Sequence, residues 1–545
     1  MIKALLQKPF INKRLLALTL LFAALTALEG VVTPYALGGV TDAITHRSMS
    51  GVIRAALIGA IGLIVIRVAF FLMTYFMAKL RQAATTTLRQ QLLEAGLART
   101  ARTESATLLA KMFGDVKQIE QSAVIGLVYM LYSLLLATAA TLYIFSINWQ
   151  VATLFILFPF LSLTIPLLTK KPVKRASQLW STRNASYTTA VTEAFQARRL
   201  ILVYGRQPYF LARSRQVLDA EQTASVRISV MQAVITFFSA TLELIGMYLP
   251  FVVGAVFVLR GQLTVGALLS VFLASDRIVS PVASSINYYG QLVAAQPLID
   301  EIATLTAPAA TEPALQAVGA GPVVALQNVR YQPADRAILT GVNLAIQPHT
   351  RTLVVGNSGA GKSTLIDLMV GLANPAAGTV AVAAASVPAY LAQIAYVAQA
   401  PRVFSESLAF NLTLGENADE PALLAALRQA GLAELATAAQ LHERLGEGGR
   451  QLSGGELKKL DIARALLHQR ALTIIDEGLS GLDAKSAASV SAVIRQLPGT
   501  IIEVEHRVPL AAMADYDQIL VVADGHVTAL APDQTAAAVA TGLFI

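Results

Sequence analysis

The sequence contains no cysteine, so it has no disulfide framework, no thiolate nucleophile and no cysteine-ligated metal site. Charge is scarce as well: Asp, Glu, Lys and Arg make up 14% of the 545 residues, against about a quarter in an average soluble domain. Apolar residues fill the difference, at 55% of the chain, and mean hydropathy is +0.58. A wholly soluble protein is thereby excluded. A chain this long exceeds what one core organises, so a membrane domain joined to a second domain is expected. The net charge of +8 fits either a nucleic-acid binder or a membrane protein that keeps Lys and Arg in its inner loops.

The positions of the charges decide between these. Six apolar stretches, each about long enough to cross a bilayer, run over Leu15–Ile44, Val52–Leu80, Val124–Phe145, Val151–Leu168, Ala233–Leu259 and Val265–Ile286. They predict a polytopic helical membrane domain over residues 1–304. Lys3, Lys8, Lys13 and Arg14 precede the first stretch, which is too long for a signal-peptide core and reads as an uncleaved span. Basic residues crowd two connections. One holds Lys79, Arg81, Arg89, Arg99, Arg102, Lys111 and Lys117; the other includes Lys170, Lys171, Lys174, Arg175, Arg198, Arg199 and Arg213. The remaining turns are short. Positive loops stay in the cytoplasm, which puts both termini there, in a multi-pass protein of the cytoplasmic membrane, and leaves nucleic acid without a role. Leu88, Leu92, Leu93 and Leu97 keep helical spacing, so these connections should be helices projecting from the bilayer.

Five ionisable residues fall inside the spans: Glu29, Arg67, Glu243, Asp276 and Arg277. Each costs about 2.5–3.5 kcal/mol near the bilayer centre. They read either as the lining of a path for a polar solute or protons, or as mutual ion pairs.

Residues 305–321, with Pro308, Pro313 and many Ala and Gly, show no helical or strand period and predict a linker ahead of a second domain over 322–545. There the strand-like TRTLVVG runs into Gly356, Asn357, Ser358, Gly359, Ala360, Gly361, Lys362 and Ser363, followed by Thr364 and a helical stretch. This is the GxxxxGK[ST] phosphate loop in its strand–loop–helix context. Glycines let backbone N–H groups turn toward phosphates, Lys362 reaches the β and γ phosphates, and Ser363 ligates Mg²⁺. Downstream, the apolar strand ALTIID ends in Asp476, with Glu477 next. A carboxylate at that place serves the Mg²⁺ shell, and a second can polarise an attacking water.

Just ahead of that strand stand Leu452, Ser453, Gly454, Gly455 and Glu456, in LGEGGRQLSGGELKKLDIARALL. This segment resembles the LSGGQ region of the ATP-binding cassette exporters. The six spans with two long inner extensions resemble that family's transmembrane domain. The resemblance implies an α/β P-loop cassette, with two cassettes sandwiching two ATP molecules. Ser453, Gly454 and Gly455 would then bind the γ phosphate across a dimer. It further implies that Tyr331 stacks on adenine, that Gln399 contacts Mg²⁺ and water, that Ser480 to Asp483 cross the dimer interface, and that His506 contacts the γ phosphate. Coupling helices are implied near Thr103–Ala110 and Ala197–Gly205.

Three positions depart from the family pattern: Glu456 for Gln, Gly478 for Pro, and Glu505 for Thr or Ser. With one phosphate loop and one LSGG segment, the chain reads as half of an ATP-driven exporter, paired with a second half-transporter, identical or not, in the lipid bilayer. The alternatives are a membrane ATPase that assists assembly without moving a solute and a soluble cassette ATPase. The membrane half stands against the last. GEGGRQLSGGE with IARALLH also resembles one subunit of the heterodimeric thiol exporters linked to cytochrome bd assembly, beside peptide, lipid or drug export.

Overall fold

The computed structural model describes residues 8–98, 105–160, 164–307, 315–333, 336–449, 452–479, 481, 483–534, 539 and 541–544. It contains a helical unit, Met1–Gly96 with Ser105–Ala307, and an α/β unit built on Pro308–Ile545.

The helical unit comprises α1 (Lys13–Ala27), α2 (Glu29–Thr45), α3 (Met49–Ala98), α4 (Ser105–Ala110), α5 (Gly126–Ile147), α6 (Trp149–Phe160), α7 (Thr164–Gln196), α8 (Arg198–Val203), α9 (Gln207–Leu259) and α10 (Val265–Thr306). Among the described residues five helical segments are long and apolar enough to cross a membrane: Lys13–Thr45, Met49–Leu97, Thr107–Ile147, Gln207–Leu259 and Val265–Thr306. The fourth expected span falls on α6 and α7, on either side of residues 161–163, which lie outside the described set. The first span turns at Leu28 between α1 and α2. Within α2, Pro34 has no N–H to give and crowds the preceding turn, so an uninterrupted rod is disfavoured. At 1.5 Å per residue, the 53 residues of α9 run to roughly 80 Å, far beyond the ~30 Å hydrocarbon core.

Along α3, Leu88 and Leu92 are buried in a core with Val116, Ile119, Leu127, Leu292 and Ile299, whereas Leu93 and Leu97 are exposed. Basic residues of the positive loop are tied down here: Arg81 Nε donates to Glu120 Oε1 at 2.7 Å, beside Thr85 Oγ1 to Glu120 Oε2 at 3.1 Å, and Lys111 Nζ to Glu301 Oε1 at 2.5 Å. Of the two coupling-helix stretches, residues 103 and 104 lie outside the described set, and the second corresponds to α8. At the other end of the unit, Asp42 caps α10. Its carboxylate accepts from Gly266 N at 2.8 Å, an N–H that the helix start leaves open, and from the Thr264 hydroxyl at 2.7 Å.

In the α/β unit, β1 (Leu315–Ala317), β2 (Val324–Tyr331), β3 (Leu339–Ile346) and β5 (Ala377–Val382) form one sheet in the order β1-β5-β2-β3. A second sheet runs β10-β9-β4-β8-β7-β6, from β4 (Arg351–Val355), β6 (Ile394–Val397), β7 (Leu472–Asp476), β8 (Thr500–Glu505), β9 (Gln518–Ala523) and β10 (His526–Leu530). Its strands are parallel except β10. Helices α11 (Lys362–Met369), α12 (Gly454–His468) and α13 (Ala484–Arg495) belong to this unit. All of β7 is buried, as a central parallel strand requires. The parallel arrangement brings the C-terminal ends of β4, β7 and β8 to one edge, where ligands bind in open α/β sheets.

Candidate nucleotide-binding site

The loop after β4 can form only because of its glycines. A Cβ at Gly356 would sit 2.5 Å from the carbonyl oxygen of Val522, and Gly361, which caps α11, has φ +107°. Lys362 is therefore the first residue of α11, and its ammonium turns back into the loop. It donates to Gly356 O at 2.7 Å and Asn357 O at 3.2 Å.

A polar relay extends from this ammonium. Lys362 Nζ lies 3.0 Å from His506 Nδ1, and His506 Nε2 lies 2.7 Å from Glu477 Oε1. Since the ammonium can only donate, Nδ1 accepts and the proton of a neutral ring sits on Nε2, directed at Glu477. The other Glu477 oxygen accepts from Gln399 Nε2 at 2.8 Å, which leaves the Gln399 carbonyl oxygen available to a cation. Beside it, Asp476 Oδ2 accepts from Tyr396 OH at 3.3 Å. Residues Asn357 to Thr364, Gln399, Glu477 and His506 line one cavity of about 1030 Å³, with Arg336, Ile338, Thr340 and Asp524.

Electrostatics in this cavity follow from burial opposed by neighbours. Burial lowers the pKa of Lys362, against the pull of Glu477, Asp476 and Glu505. Burial also raises Asp476, and the negative charge of Glu477 adds to it. Among the described residues no group of three or more His, Cys, Asp and Glu could hold a metal by itself. Ser363, Gln399 and Asp476 do offer the hard oxygen donors that Mg²⁺ prefers, which suits an ion arriving with a nucleotide.

Not every residue singled out from the sequence lines this cavity. Tyr331, at the end of β2, packs against the cassette core and is not among the lining residues. Ser453, Gly454 and Gly455 lie at the start of α12 and are not among them either, and neither are Gly356 and the buried Asp476, which stands next to the lining residue Glu477. Positions 480 and 482 lie outside the described residues.

The three departures have local accounts. Glu456 completes a capping box on α12: its carboxylate accepts from Ser453 N at 2.7 Å and Ser453 Oγ at 2.6 Å. At position 478 a Cβ would stand 2.3 Å from Ile475 Cγ2, so glycine fits where proline would collide. Glu505 is pushed up to about 7 by burial first and then by the charges of Glu503 and Glu477.

The folded chain thus holds a proton on Glu505 more tightly than the unfolded chain does. The stability this gives is complete below the ordinary value near 4.5 and lost as pH rises toward 7. Glu505→Gln should therefore gain stability relative to the wild type across that window, by at most about 3 kcal/mol. Melting temperatures of both proteins at pH 5 and pH 8 measure it; an unchanging difference would remove the assignment.

Sequence patterns gave no sign of Lys458. Its stem is buried in α12, and Nζ donates to the carbonyls of Ala398 at 3.0 Å and Gln399 at 3.2 Å, holding the Gln399 turn in place. A lysine in a helical, charge-bearing stretch looks like any surface residue until the fold folds it inward.

The chain matches two family models: ABC transporter over residues 339–480 and ABC transporter transmembrane region over 16–280. Among curated relatives, the glutathione/L-cysteine transport system ATP-binding/permease protein CydC of Escherichia coli K12 is 28% identical, over 67% of this chain and 65% of that protein. The mycobactin import ATP-binding/permease protein IrtB of Mycolicibacterium thermoresistibile is 31% identical, over 65% and 63%. The ATP-dependent lipid A-core flippase of Neisseria meningitidis is 27% identical, over 85% and 78%. The chain thus spans just under two thirds of the length of the first two. A solved bacterial Atm1-family ABC exporter with ATP bound shares the fold, with a TM-score of 0.74 over 98% of this chain and 99% of that one, at 21% identity. With a transmembrane region and an ATP-binding domain matched in sequence order, this multi-pass membrane protein belongs to the ABC transporter family.

Proposed function

We propose that the chain is one half of a dimeric exporter in the cytoplasmic membrane, using ATP hydrolysis to drive a solute outward by alternating access. The observation that carries this reading is the incomplete site. Lys362, Glu477, His506 and Gln399 converge on one cavity, while Ser453 to Gly455 lie outside it, as expected if a second chain supplies that segment. In this reading residues 1–304 form the transmembrane domain, 305–321 the linker and 322–545 the cassette, with both termini and the cassette in the cytoplasm.

The nucleotide arrives as MgATP. Backbone N–H groups of residues 356 to 364 and the Lys362 ammonium would hold its phosphates, and Ser363, Gln399 and Asp476 would supply oxygen donors to the ion. Glu477 takes a proton from the water that attacks the γ phosphorus, while His506 steadies Glu477 and faces the γ phosphate. Tyr331 is assigned to the adenine on the family pattern alone. For the solute we infer a thiol-bearing amino acid or short peptide. The likeness to CydC and the LSGGE segment support that choice over lipid A.

The test is accumulation of glutathione and L-cysteine in vesicles carrying the protein with its partner. ATP added outside inside-out vesicles should drive uptake, and right-side-out vesicles should show none. Uptake driven by external ATP in right-side-out vesicles would mean inverted topology. Hydrolysis without movement of either thiol would favour an assembly ATPase or another cargo.

A further inference from the structure

Three ionisable residues of the expected spans come together from three helices: Glu29 on α2, Arg67 on α3 and Arg277 on α10. Arg67 Nη2 lies 3.6 Å and Arg277 Nη2 lies 3.8 Å from the same oxygen, Glu29 Oε1. Both contacts join opposite charges, and both exceed hydrogen-bond length. Within this trio one carboxylate meets two guanidiniums, a local excess of one positive charge. Each guanidinium has five N–H donors, and among the described residues neither arginine has a hydrogen-bond acceptor.

Depth makes this unusual. Each of the three residues lies near the middle of its apolar stretch, about ten or more residues, or on the order of 15 Å, from either end. A guanidinium there cannot snorkel to the headgroups, so lipid phosphate is out of reach. The Arg67 and Arg277 side chains are nevertheless 64% and 42% exposed in the single chain, while Glu29 is 16% exposed. Arginine facing hydrocarbon at that depth is the costly arrangement, so the exposed side belongs to a hydrated or protein-lined space. Tyr132, from α5, lies within electrostatic range of all three residues and brings a hydroxyl. Asp276, next to Arg277, and Glu243, in electrostatic range of Asp276, add two carboxyl groups on the neighbouring stretches.

We propose that Arg67 and Arg277 form a carboxylate-recognition site for the transported solute, with Glu29 holding the two guanidiniums in register. A planar carboxylate can accept paired N–H donors from such a fork, which satisfies both the free donors and the surplus charge. Asp276 and Glu243 suit an ammonium on the same molecule. The site is therefore built for an amphoteric solute, an amino acid or short peptide. The choice of probe rests on the thiol reading above.

The experiment measures binding of reduced glutathione, and of its diethyl ester, to the full-length protein with its partner in lipid nanodiscs. Wild-type protein should prefer the acid by tenfold or more. Arg67→Gln with Arg277→Gln should abolish that preference, and the Arg→Lys pair, which keeps charge but loses the fork, should retain part of it. Equal binding of acid and ester by the wild type overturns the site and needs no variant. So does loss of dimer stability in the variants with the preference intact, which would mean that the arginines pair with the partner chain. So does absence of binding of either probe. Vesicle uptake of glutathione with equal acid and ester binding would remove this site and leave the export reading standing. A clear acid preference without thiol uptake would do the reverse.

Discussion

Glu477→Gln is expected to lower ATP hydrolysis by about 10² to 10⁴ while nucleotide binding survives, because a positioned general base is worth that much in rate. The geometry separates the two properties. Glu477 contacts neither the loop carbonyls nor the Lys362 ammonium directly; it receives His506 Nε2 at 2.7 Å and Gln399 Nε2 at 2.8 Å. An amide of the same shape can still meet the histidine through its oxygen, but its nitrogen would face the Gln399 amide donor. Local adjustment at Gln399 is the expected side effect, and loss of proton-accepting capacity the main one. The main-chain geometry is unusual as well: Glu477 has φ +50°, uncommon for a residue with a side chain, and its N–H donates to Val504 O at 2.9 Å. Gln preserves these constraints, so the fold should be intact. The variant should trap ATP in a closed dimer, read as nucleotide retained after rapid desalting with little phosphate release. Hydrolysis near the wild-type rate would place the catalytic carboxylate in the partner chain.

Lys362→Ala should act earlier in the cycle. Lys362 is 6% exposed, and its ammonium is shared among Gly356 O, Asn357 O and His506 Nδ1. Removing it takes away the buried charge that neutralises the phosphates and also unties the histidine that steadies Glu477. MgATP affinity and hydrolysis should both fall, turnover by on the order of 10² to 10³. A fluorescent nucleotide titration and a phosphate-release assay on the same preparation check it. Wild-type values in both would dismiss the loop assignment. Contrasted with Glu477→Gln, which should bind and not turn over, the pair separates binding from chemistry.

Much of this was readable in one dimension because the relevant physics is local or periodic. Apolar length alone marks the spans, and the string from Gly356 to Ser363 needs only its own backbone to make a phosphate cradle. Asp476 and Glu477 stand out by their place at the end of an apolar strand. Where such local signals weaken, the reading weakened with them. The first apolar stretch forms one span-length segment, Lys13–Thr45, and only its local break at Leu28, between α1 and α2, leaves no mark in the apolar run.

The sequence determined, by itself, the two-part organisation, the membrane-spanning character, the phosphate loop and the identity of the acidic pair, since each is written in contiguous residues whose spacing carries its own chemistry. Only the tertiary structure decided what those residues do to one another. Strand order put β4, β7 and β8 side by side, so that Lys362, His506, Glu477 and Gln399 join in one relay, its outermost members 144 residues apart. It turned Lys458 inward onto the Gln399 backbone and left glycine as the residue that fits beside Ile475. It also resolved part of the question left open by charges in the spans: Glu29, Arg67 and Arg277 meet one another, because helix packing sets which faces converge and no periodicity along a single helix records its neighbour.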